Sequence, residues 1–200
     1  MHLAPTDSHT ATPAAPNGLA TRTDWQIDPG ASRVEFSIRK RLFVVPLTVT
    51  GRFSDVQGTI TLDEQDPTSA LASVTIAPSS IDTANAKRDA HLRTADFFHV
   101  DRHPAMTFHS RRVELTDRGF NRFQVVGDLT IRGVTREVAL DTIYVAAQGS
   151  GPKRRMKLTL TTTLNRRDFG LHWNTLLIAV ADTLTVNLAI EATPKETAQS

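Results

Sequence analysis

The sequence predicts an all-β fold in which eight antiparallel strands close into a barrel and one short helix caps one end. Two observations carry this prediction. Apolar and polar residues alternate with a period of two along most of the chain, which is typical of strands that bury one face. Several of these strands are longer than usual and follow one another as hairpins, which favours an up-and-down barrel over a sandwich of two sheets.

The strands are read in chain order from this alternation. In the first strand, Val34, Phe36 and Ile38 share one face, opposite polar neighbours. The second strand is long, and Gly51 and Gly58 mark bends or bulges in it. The predicted strands cover residues 32–40, 47–63, 71–81, 105–116, 123–133, 135–147, 155–166 and 182–193.

The later strands repeat the same pattern, with turns between them. The segment TDRG at 116–119 separates the fourth strand from the fifth, and Gly133 separates the fifth from the sixth. Each strand has a single apolar face, which must be buried against the rest of the barrel. The inward candidates are Met106 and Phe108, and then alternate residues from Phe123 to Ile131, from Met156 to Leu164 and from Leu184 to Ile190.

Residues 84–95 are the one segment that predicts a helix. Thr83 or Asp82 is expected to cap its amino end, near Asn85. Asp89 and Arg93 are four residues apart and are expected to form an acidic-to-basic pair on the helix surface.

Phe97 and Phe98 follow this helix directly and need an apolar environment. A helix that lies over one end of a barrel meets this need, because its charges face water or a ligand headgroup while the phenylalanines reach into the barrel mouth. The segment KRDAHLRTADFF at 87–98 is therefore predicted to be a plug. Eight-stranded barrels are either filled by their own side chains or hold one small ligand, and the medium-sized inward residues here favour an apolar tunnel.

Composition is that of a soluble globular domain, and it excludes several functions. The 200 residues are 40% hydrophobic and 22% charged, with a net charge of +2 and basic and acidic residues interspersed. No basic arm for nucleic acid is present, and the densest basic segment, PKRRMK at 152–157, is expected at a hairpin tip. The absence of cysteine excludes disulfides and thiolate sites.

The ends of the chain are predicted to be tails around a single domain. Residues 1–23 are rich in Ala, Thr and Pro and are interpreted as a disordered tail, residues 24–193 as the barrel domain and 194–200 as a second tail. No apolar run approaches the length of a membrane helix, so stable membrane insertion is not expected. The amino end has no secretory pattern, which favours a cytoplasmic protein over a periplasmic or exported one.

Catalytic and metal-binding patterns are weak. No nucleophile elbow, P-loop, dinucleotide fingerprint or H-E-x-x-H motif occurs. His99 and His103 have helical spacing, but Pro104 breaks a helix there, and no metal site is predicted.

Several motifs, in this order, carry a resemblance to a known family. They are Arg88-Asp89-x-His91-Leu92 with Asp96-Phe97-Phe98, Leu129-Thr130-Ile131-x-Gly133, and Arg166-x-Asp168-Phe169-Gly170. With these motifs, residues 24–193 resemble the YceI-like polyisoprenoid-binding proteins, whose fold is an extended lipocalin-like barrel. The resemblance implies a binding or carrier protein that holds a polyisoprenoid, an isoprenoid quinone or a similar lipid in the barrel.

The resemblance and the strand pattern together give candidate site residues. The family commonly has Phe-x-Val-x-His in the first strand, whereas Lys40 stands at the histidine position here and is expected to meet an anionic headgroup. The other headgroup candidates are Arg88, His91 and Arg166. The candidates for contact with the apolar tail are Phe36, Ile38, Phe53, Phe97, Phe98, Phe108, Leu129 and Ile131.

Two other functions remain open at this point. One is an enzyme that acts on an apolar substrate with His91 or Asp89 as its acid–base group. The other is a ligand-free interaction protein with a packed barrel, or one that shares a sheet edge in a homodimer. No catalytic residue and no cofactor other than a bound polyisoprenoid or lipid is predicted.

Overall fold

A computed structural model describes residues 22–42, 44–116, 121–173 and 178–195. Nearly all regular structure in these ranges is β-strand, with one α-helix and four short 3₁₀ turns. The strands and the helix are β1 Arg22–Ile27, β2 Arg33–Leu42, β3 Val45–Phe53, β4 Val56–Asp63, β5 Leu71–Ile76, β6 Ile81–Asp82, α1 Ala86–Arg93, β7 Met106–Leu115, β8 Arg122–Ile131, β9 Val134–Gln148, β10 Arg155–Asn165 and β11 Ile178–Pro194.

Eight of these strands close into an antiparallel barrel. The order around the ring is β1, β4, β5, β7, β8, β9, β10 and β11, and pairing of β1 with β11 completes it. At the closing contact, Trp25 is opposite Pro194 and Ile27 is opposite Ala192. The predicted fold class, an eight-stranded antiparallel barrel with one short helix, is confirmed.

The remaining strands extend the barrel at one end. β11 has 17 residues, so it pairs with β1 near its carboxyl end and with β2 along the rest of its length. Ile27 of β1 is opposite Ala192, and Arg33 of β2 is opposite Ala189, so β1 and β2 follow one another along the same edge. β3 pairs with β2, and β6 pairs with β3.

The prediction of one unbroken strand over 47–63 is wrong. The chain leaves the sheet at Ser54 and Asp55, where the amides of both residues donate to the Ser80 hydroxyl at 3.2 and 3.1 Å. The break allows β3 to pair with β2 and β4 to pair with β1, two strands that lie one after the other along β11. The predicted strand 71–81 is likewise broken, by a 3₁₀ turn at Pro78–Ser80, and β1 was not predicted as a strand.

The predicted helix is present, but its cap and its ion pair differ from those expected. The Asn85 side chain caps α1 by accepting from the Arg88 amide at 2.9 Å. Asp89 is buried and accepts from the amide and the hydroxyl of Thr83, so it does not pair with Arg93. Arg93 instead donates to backbone carbonyls of the preceding turn. Side chains that hold the helix on the barrel cannot also pair along its surface.

The core consists of two clusters, one toward each end of the barrel. The cluster at the α1 end contains Phe53, Val56 and Met106, with Leu92 and Phe98 packed against it. The cluster at the opposite end contains buried residues of β1, β4 and β10. Its buried members are Trp25, Ile27, Ile60, Leu62, Phe108, Leu140, Met156, Leu160, Ile190 and Ala192.

Some predictions concern residues at the edge of the described ranges. Most of the predicted tail 1–23 and of the tail 194–200 lies outside them, and β1 and β11 themselves reach Arg22 and Pro194. The basic segment 152–157 lies at the connection between β9 and β10, as predicted. In the ranges described, no helix has the length and hydropathy to cross a membrane.

Candidate ligand-binding cavity

The barrel encloses a cavity of about 710 Å³. This volume is within the range of small-molecule binding sites, about 300–1,000 Å³. Its walls are almost entirely aliphatic and aromatic side chains from the inner face of the barrel strands and from β2 and β3. The interior is therefore a hollow with apolar walls rather than a solid core.

The lining follows from the period-two alternation of the strands. Phe36, Ile38 and Lys40 are alternate residues of β2, and all three line the cavity. Leu129 and Ile131 do the same on β8. Because successive side chains of a strand point to opposite faces, one inward residue determines which of its neighbours also face inward.

The structure brings all twelve candidate residues to this one cavity. The eight predicted tail contacts and the four predicted headgroup contacts are all among its lining residues. Binding of a ligand by these residues stays a prediction, while their convergence on one hollow is a property of the fold. Asp89, the alternative acid–base candidate, is not among the lining residues.

Aromatic rings gather at the α1 end of the cavity. The Phe53 ring lies 5.7 Å from that of Phe36 and 5.8 Å from that of Phe98, between ring centroids. Phe97 lies 5.3 Å from His91 and 5.5 Å from Trp173. These distances are typical of tilted and edge-to-face ring pairs, so the aromatic side chains at this mouth support one another.

A glycine leaves room for one of these rings next to the backbone of the neighbouring strand. Gly51 is the cross-strand partner of Phe36. A Cβ atom at Gly51 would lie 2.5 Å from the end of the Phe36 ring and 2.7 Å from the Thr83 methyl group. The missing side chain of Gly51 therefore makes room for Phe36 at the cavity wall.

The charged side chains that line the cavity are all basic. They belong to Lys40, Lys87, Arg88 and Arg166, together with the imidazole of His91. No Asp or Glu is among the lining residues that the structure describes. All but Arg166 lie on α1 or at the adjoining end of β2, so the positive charge is concentrated at one mouth of an otherwise apolar hollow.

Thr83 fixes the position of Arg88. The Arg88 Nε donates to the Thr83 hydroxyl and its Nη2 donates to the Thr83 carbonyl, both at 2.7 Å. The same threonine donates to the buried Asp89 carboxylate. The charge of Arg88 is thus held at the mouth by neutral partners, which leaves it able to interact with an anion.

Lys40 occupies a different position from Arg88. It lies on β2, half-buried, and no hydrogen bond or ion pair joins its ammonium group to another described residue. An ammonium group at the rim of an apolar cavity keeps part of its hydration and favours an anionic partner.

His91 is held by an acid and by two aromatic rings. Its Nε2 lies 2.9 Å from the Asp96 carboxylate, and its ring meets the rings of Phe97 and Trp173 edge-on. Among the described contacts, His91 and Asp89 share no hydrogen bond. The two alternative acid–base candidates, His91 and Asp89, are therefore separate groups, each with its own partner.

Arg166 lines the cavity but its guanidinium group is largely used by the protein. It is 4% exposed and donates to the carbonyls of Leu171, Trp173, Val180 and Ala181. Burial lowers the pKa of Arg166, and the nearby Asp182 carboxylate opposes this effect. The carbonyls of Val180 and Ala181 belong to the irregular stretch of β11, where its register with β2 shifts. Arg166 thus stabilises this bulge.

Many lining residues were not among the predicted contacts, and Lys87, Trp173 and Tyr144 are examples from the two ends of the cavity. Lys87 and Trp173 lie at the α1 mouth; Lys87 directly precedes the motif that begins at Arg88, and Trp173 follows the motif that ends at Gly170. Tyr144 lines the opposite end, where burial raises the pKa of its hydroxyl. Alternation along 135–147 was a signal for Tyr144, since it shares the face of Leu140 and Thr142.

The two histidines with helical spacing form no metal site. The rings of His99 and His103 lie 5.9 Å apart between centroids. In the described ranges no three His, Cys, Asp or Glu side chains are grouped so that they could hold a metal ion.

A family model described as a YceI-like domain matches residues 25–192. The chain belongs to the YceI-like family. A UPF0312 protein of Staphylococcus epidermidis is 36% identical to this YceI-like chain over 173 residues, which cover 85% of this chain and 95% of that protein.

Solved structures show the same fold. The crystal structure of the Campylobacter jejuni YceI protein matches with a TM-score of 0.65 and 30% identity, over 74% of this chain and 86% of that one. A polyisoprenoid-binding domain from Saccharophagus degradans matches with a TM-score of 0.62 and 15% identity, over 86% and 98% of the two chains. At that identity, the second match shows a shared fold for this YceI-like chain.

Proposed function

We propose that this YceI-like protein binds a long apolar lipid, with the tail inside the barrel and an anionic or strongly polar headgroup at the α1 mouth. The observation that carries the proposal is a hollow of about 710 Å³ with apolar walls, whose charged lining residues are all basic. Polyisoprenoids and isoprenoid quinones are the classes of lipid that we expect. The polyisoprenoid-binding domain of Saccharophagus degradans, which has the same fold, supports this choice.

Burial of the tail supplies the binding free energy. Each methylene or equivalent carbon that leaves water contributes about 0.8 kcal/mol, so a five-carbon isoprene unit contributes about 4 kcal/mol before the cost of ordering the chain. Contacts with an apolar wall are not directional, so the wall accepts tails of different shapes. Chain length, more than any single contact, is therefore expected to determine affinity.

The basic residues at the mouth select the headgroup. Lys40 on β2 and Lys87 and Arg88 on the α1 segment approach the cavity from two sides. A phosphate or diphosphate between these side chains would make charge-assisted hydrogen bonds, which are about twice as strong as neutral ones. His91, held by Asp96, contributes a further polar group at the same mouth.

The two alternative functions have less support. An acid–base enzyme needs its groups at the substrate, whereas Asp89 is bonded to Thr83 outside the lining and His91 pairs with Asp96. A packed interaction protein does not need a hollow. Binding rather than turnover is the function that the residues at this site favour.

Native mass spectrometry of the full chain tests the proposal. Gently purified protein, or protein mixed with a prenyl phosphate, is expected to carry one lipid molecule per chain. Lys40→Gln should weaken binding of the prenyl phosphate about tenfold or more, because a hydrogen bond to a charged group is lost. Arg122→Gln is the matched control, because Arg122 is exposed, does not line the cavity and precedes the inward Phe123 on β8, so it lies on the outer face.

Two results would contradict the proposal. One is a chain that neither carries nor accepts any prenyl lipid under conditions in which it is folded. The other is equal weakening by Lys40→Gln and Arg122→Gln, which would show that net charge rather than the basic residues of the mouth determines binding.

A further inference from the structure

The hairpin of β2 and β3 extends beyond the mouth of the cavity. Its strands pair from Val34 opposite Phe53 to Leu42 opposite Val45. Val49 is the last buried residue toward the tip, and residues 44–48 are all exposed. β11 pairs with the edge of β2 as far as Leu42, opposite Ile178, but the side chains of residues 44–48 at the outer end of the hairpin stay exposed.

One face of the hairpin continues the wall of the cavity. Directly opposite residues of an antiparallel pair place their side chains on the same face. The pair Ile38–Val49 lines the cavity. The next pairs on that face are Lys40–Leu47 and then Leu42–Val45. The apolar inner surface of the barrel is thus continuous with an exposed strip that leads to the hairpin tip.

This strip and the tip are unusually apolar for an exposed surface. Val44 is 85% exposed, Val45 53%, Leu47 41% and Leu42 39%. Of the seven large apolar residues that are exposed in the described ranges, these four lie together on the one hairpin. Apolar residues grouped in this way on a soluble domain mark a surface that meets another apolar phase or partner.

The charge of the hairpin indicates which partner. Between Phe36 and Gly51 the sequence has three basic residues and no acidic residue. Two of them, Arg39 and Arg41, are exposed on the face opposite the apolar strip, and no ion pair joins them to other described residues. An apolar tip between unpaired cations fits a surface that has negative charge outside and hydrocarbon inside.

We propose that the β2–β3 hairpin docks the protein on an anionic lipid bilayer. Val44, Val45 and Leu47 enter the interfacial zone, and Arg39 and Arg41 bind lipid phosphates. Combining apolar burial with basic residues is what stable peripheral binding requires, since neither signal is sufficient alone.

Docking in this orientation sets the mouth of the cavity against the membrane. A lipid tail can then pass from bilayer to barrel along Leu42, Val45 and Leu47 without crossing water. This consequence rests on the proposed function, whereas membrane docking itself does not depend on any cavity ligand.

Vesicle flotation of the full chain tests docking directly. The protein is mixed with vesicles of phosphatidylglycerol and phosphatidylcholine, or of phosphatidylcholine alone, with no prenyl lipid present. The wild-type chain is expected to float with the anionic vesicles, and less at high salt, because screening weakens the arginine contacts. Val44→Asp with Val45→Asp should reduce binding at least about tenfold, because charged side chains cannot enter the apolar zone.

Two further variants separate the contribution of the arginines from that of the apolar tip. Arg39→Gln and Arg41→Gln should each reduce binding to anionic vesicles about fivefold. Leu115→Asp is the matched control and should leave flotation unchanged, because Leu115 is 59% exposed at the opposite end of the barrel. The variants must retain binding of a prenyl phosphate by native mass spectrometry, which separates failed docking from a failed binding site.

Several outcomes would overturn the inference. One is a folded wild-type chain that does not float with anionic vesicles. A second is an equal loss of flotation in Leu115→Asp and in the Val44–Val45 variant. A third is a wild-type dimer in sedimentation velocity that the Val44–Val45 variant abolishes, because the strip would then be a contact between two copies of the chain.

Discussion

A tryptophan in place of Ala72 is expected to shorten the tail that the barrel accepts. Ala72 is an inward residue of β5, opposite Ile60, and packs against the cluster at the end away from α1. An indole side chain there would project into the far part of the cavity. The substitution does not change the mouth with Lys40 and Arg88. Only the distal carbons of a long tail can therefore no longer be buried in the cavity.

The size of the effect follows from the volume that the ring takes. Tryptophan has about nine more non-hydrogen atoms than alanine and displaces a similar number of tail carbons, which corresponds to about 7 kcal/mol of tail burial at about 0.8 kcal/mol each. Nine carbons are about two isoprene units. Affinity rises with each added carbon by about fourfold until the cavity is full. In Ala72→Trp the affinity is therefore expected to stop rising at a chain that is about two isoprene units shorter than in the wild-type protein.

The assay is a titration of prenyl phosphates of increasing chain length, by calorimetry or by displacement of a fluorescent lipid. Short prenyl phosphates should bind wild type and Ala72→Trp equally, and long ones should bind the variant more weakly. Thr75→Trp is the matched control, because Thr75 lies on the same strand, is exposed and does not line the cavity. Thermal unfolding checks that each variant is folded.

The reasoning would be refuted by affinity that does not depend on chain length in the wild-type protein. It would also be refuted if Ala72→Trp lowered the affinity for prenyl phosphates of every chain length by the same factor. A third refuting result is a Thr75→Trp variant whose affinity stops rising at the same shortened chain length as that of Ala72→Trp. In each case the tail would lie somewhere other than in the barrel.

Three further predictions concern stability. Arg166→Lys should lower the free energy of unfolding by about 3 kcal/mol in urea titrations, because several buried carbonyls lose donors at about 1–3 kcal/mol each; an unchanged midpoint would contradict the role in the β11 bulge. Asn85→Ala should remove the α1 cap at a cost of about 1 kcal/mol and lower the Tm by about 2–4 °C, whereas Asn85→Asp, which can still cap, should not. Desolvation, followed by the charge of Arg102, lowers the pKa of His103 below its ordinary value of 6.5. The unfolded chain then binds a proton more readily than the folded chain, so the stability that neutral His103 contributes is present above pH 6.5 and is lost as the pH falls below it. His103→Asn should make the Tm fall less steeply as the pH is lowered from 6.5, and parallel curves for the two proteins would contradict this.

Much of the site could be predicted because strand alternation is strictly local. Once Phe36 faces inward, Ile38 and Lys40 must do so as well, and Leu129 and Ile131 follow the same rule on β8. The helix was also predictable, since a polar segment between strands with a capping residue has few other conformations. Its cap was misassigned because Asp82, Thr83 and Asn85 are all suitable N-cap types, and only contacts with the barrel distinguish them.

The breaks in the strands were not predicted, although the sequence carries a local signal for them in the phase shift after Phe53 and in Pro78. The apolar face of 47–63 changes phase between Phe53 and Val56, and this shift marks the place where the chain leaves the sheet at Ser54 and Asp55. Arg166 is a similar case. Its residue type suggested a ligand for an anion, whereas the fold surrounds it with backbone carbonyls that accept its hydrogen bonds.

The sequence by itself determined the class of the fold and the inward face of most strands, because both depend on the order of apolar and polar residues along short segments. Only the tertiary structure decided that these faces enclose a hollow of about 710 Å³ and that one hairpin carries the apolar wall past its mouth. Cavity volume depends on how many strands close the ring and on how far their side chains reach across it. Those distances are set between segments that are far apart in the chain, which local patterns do not encode.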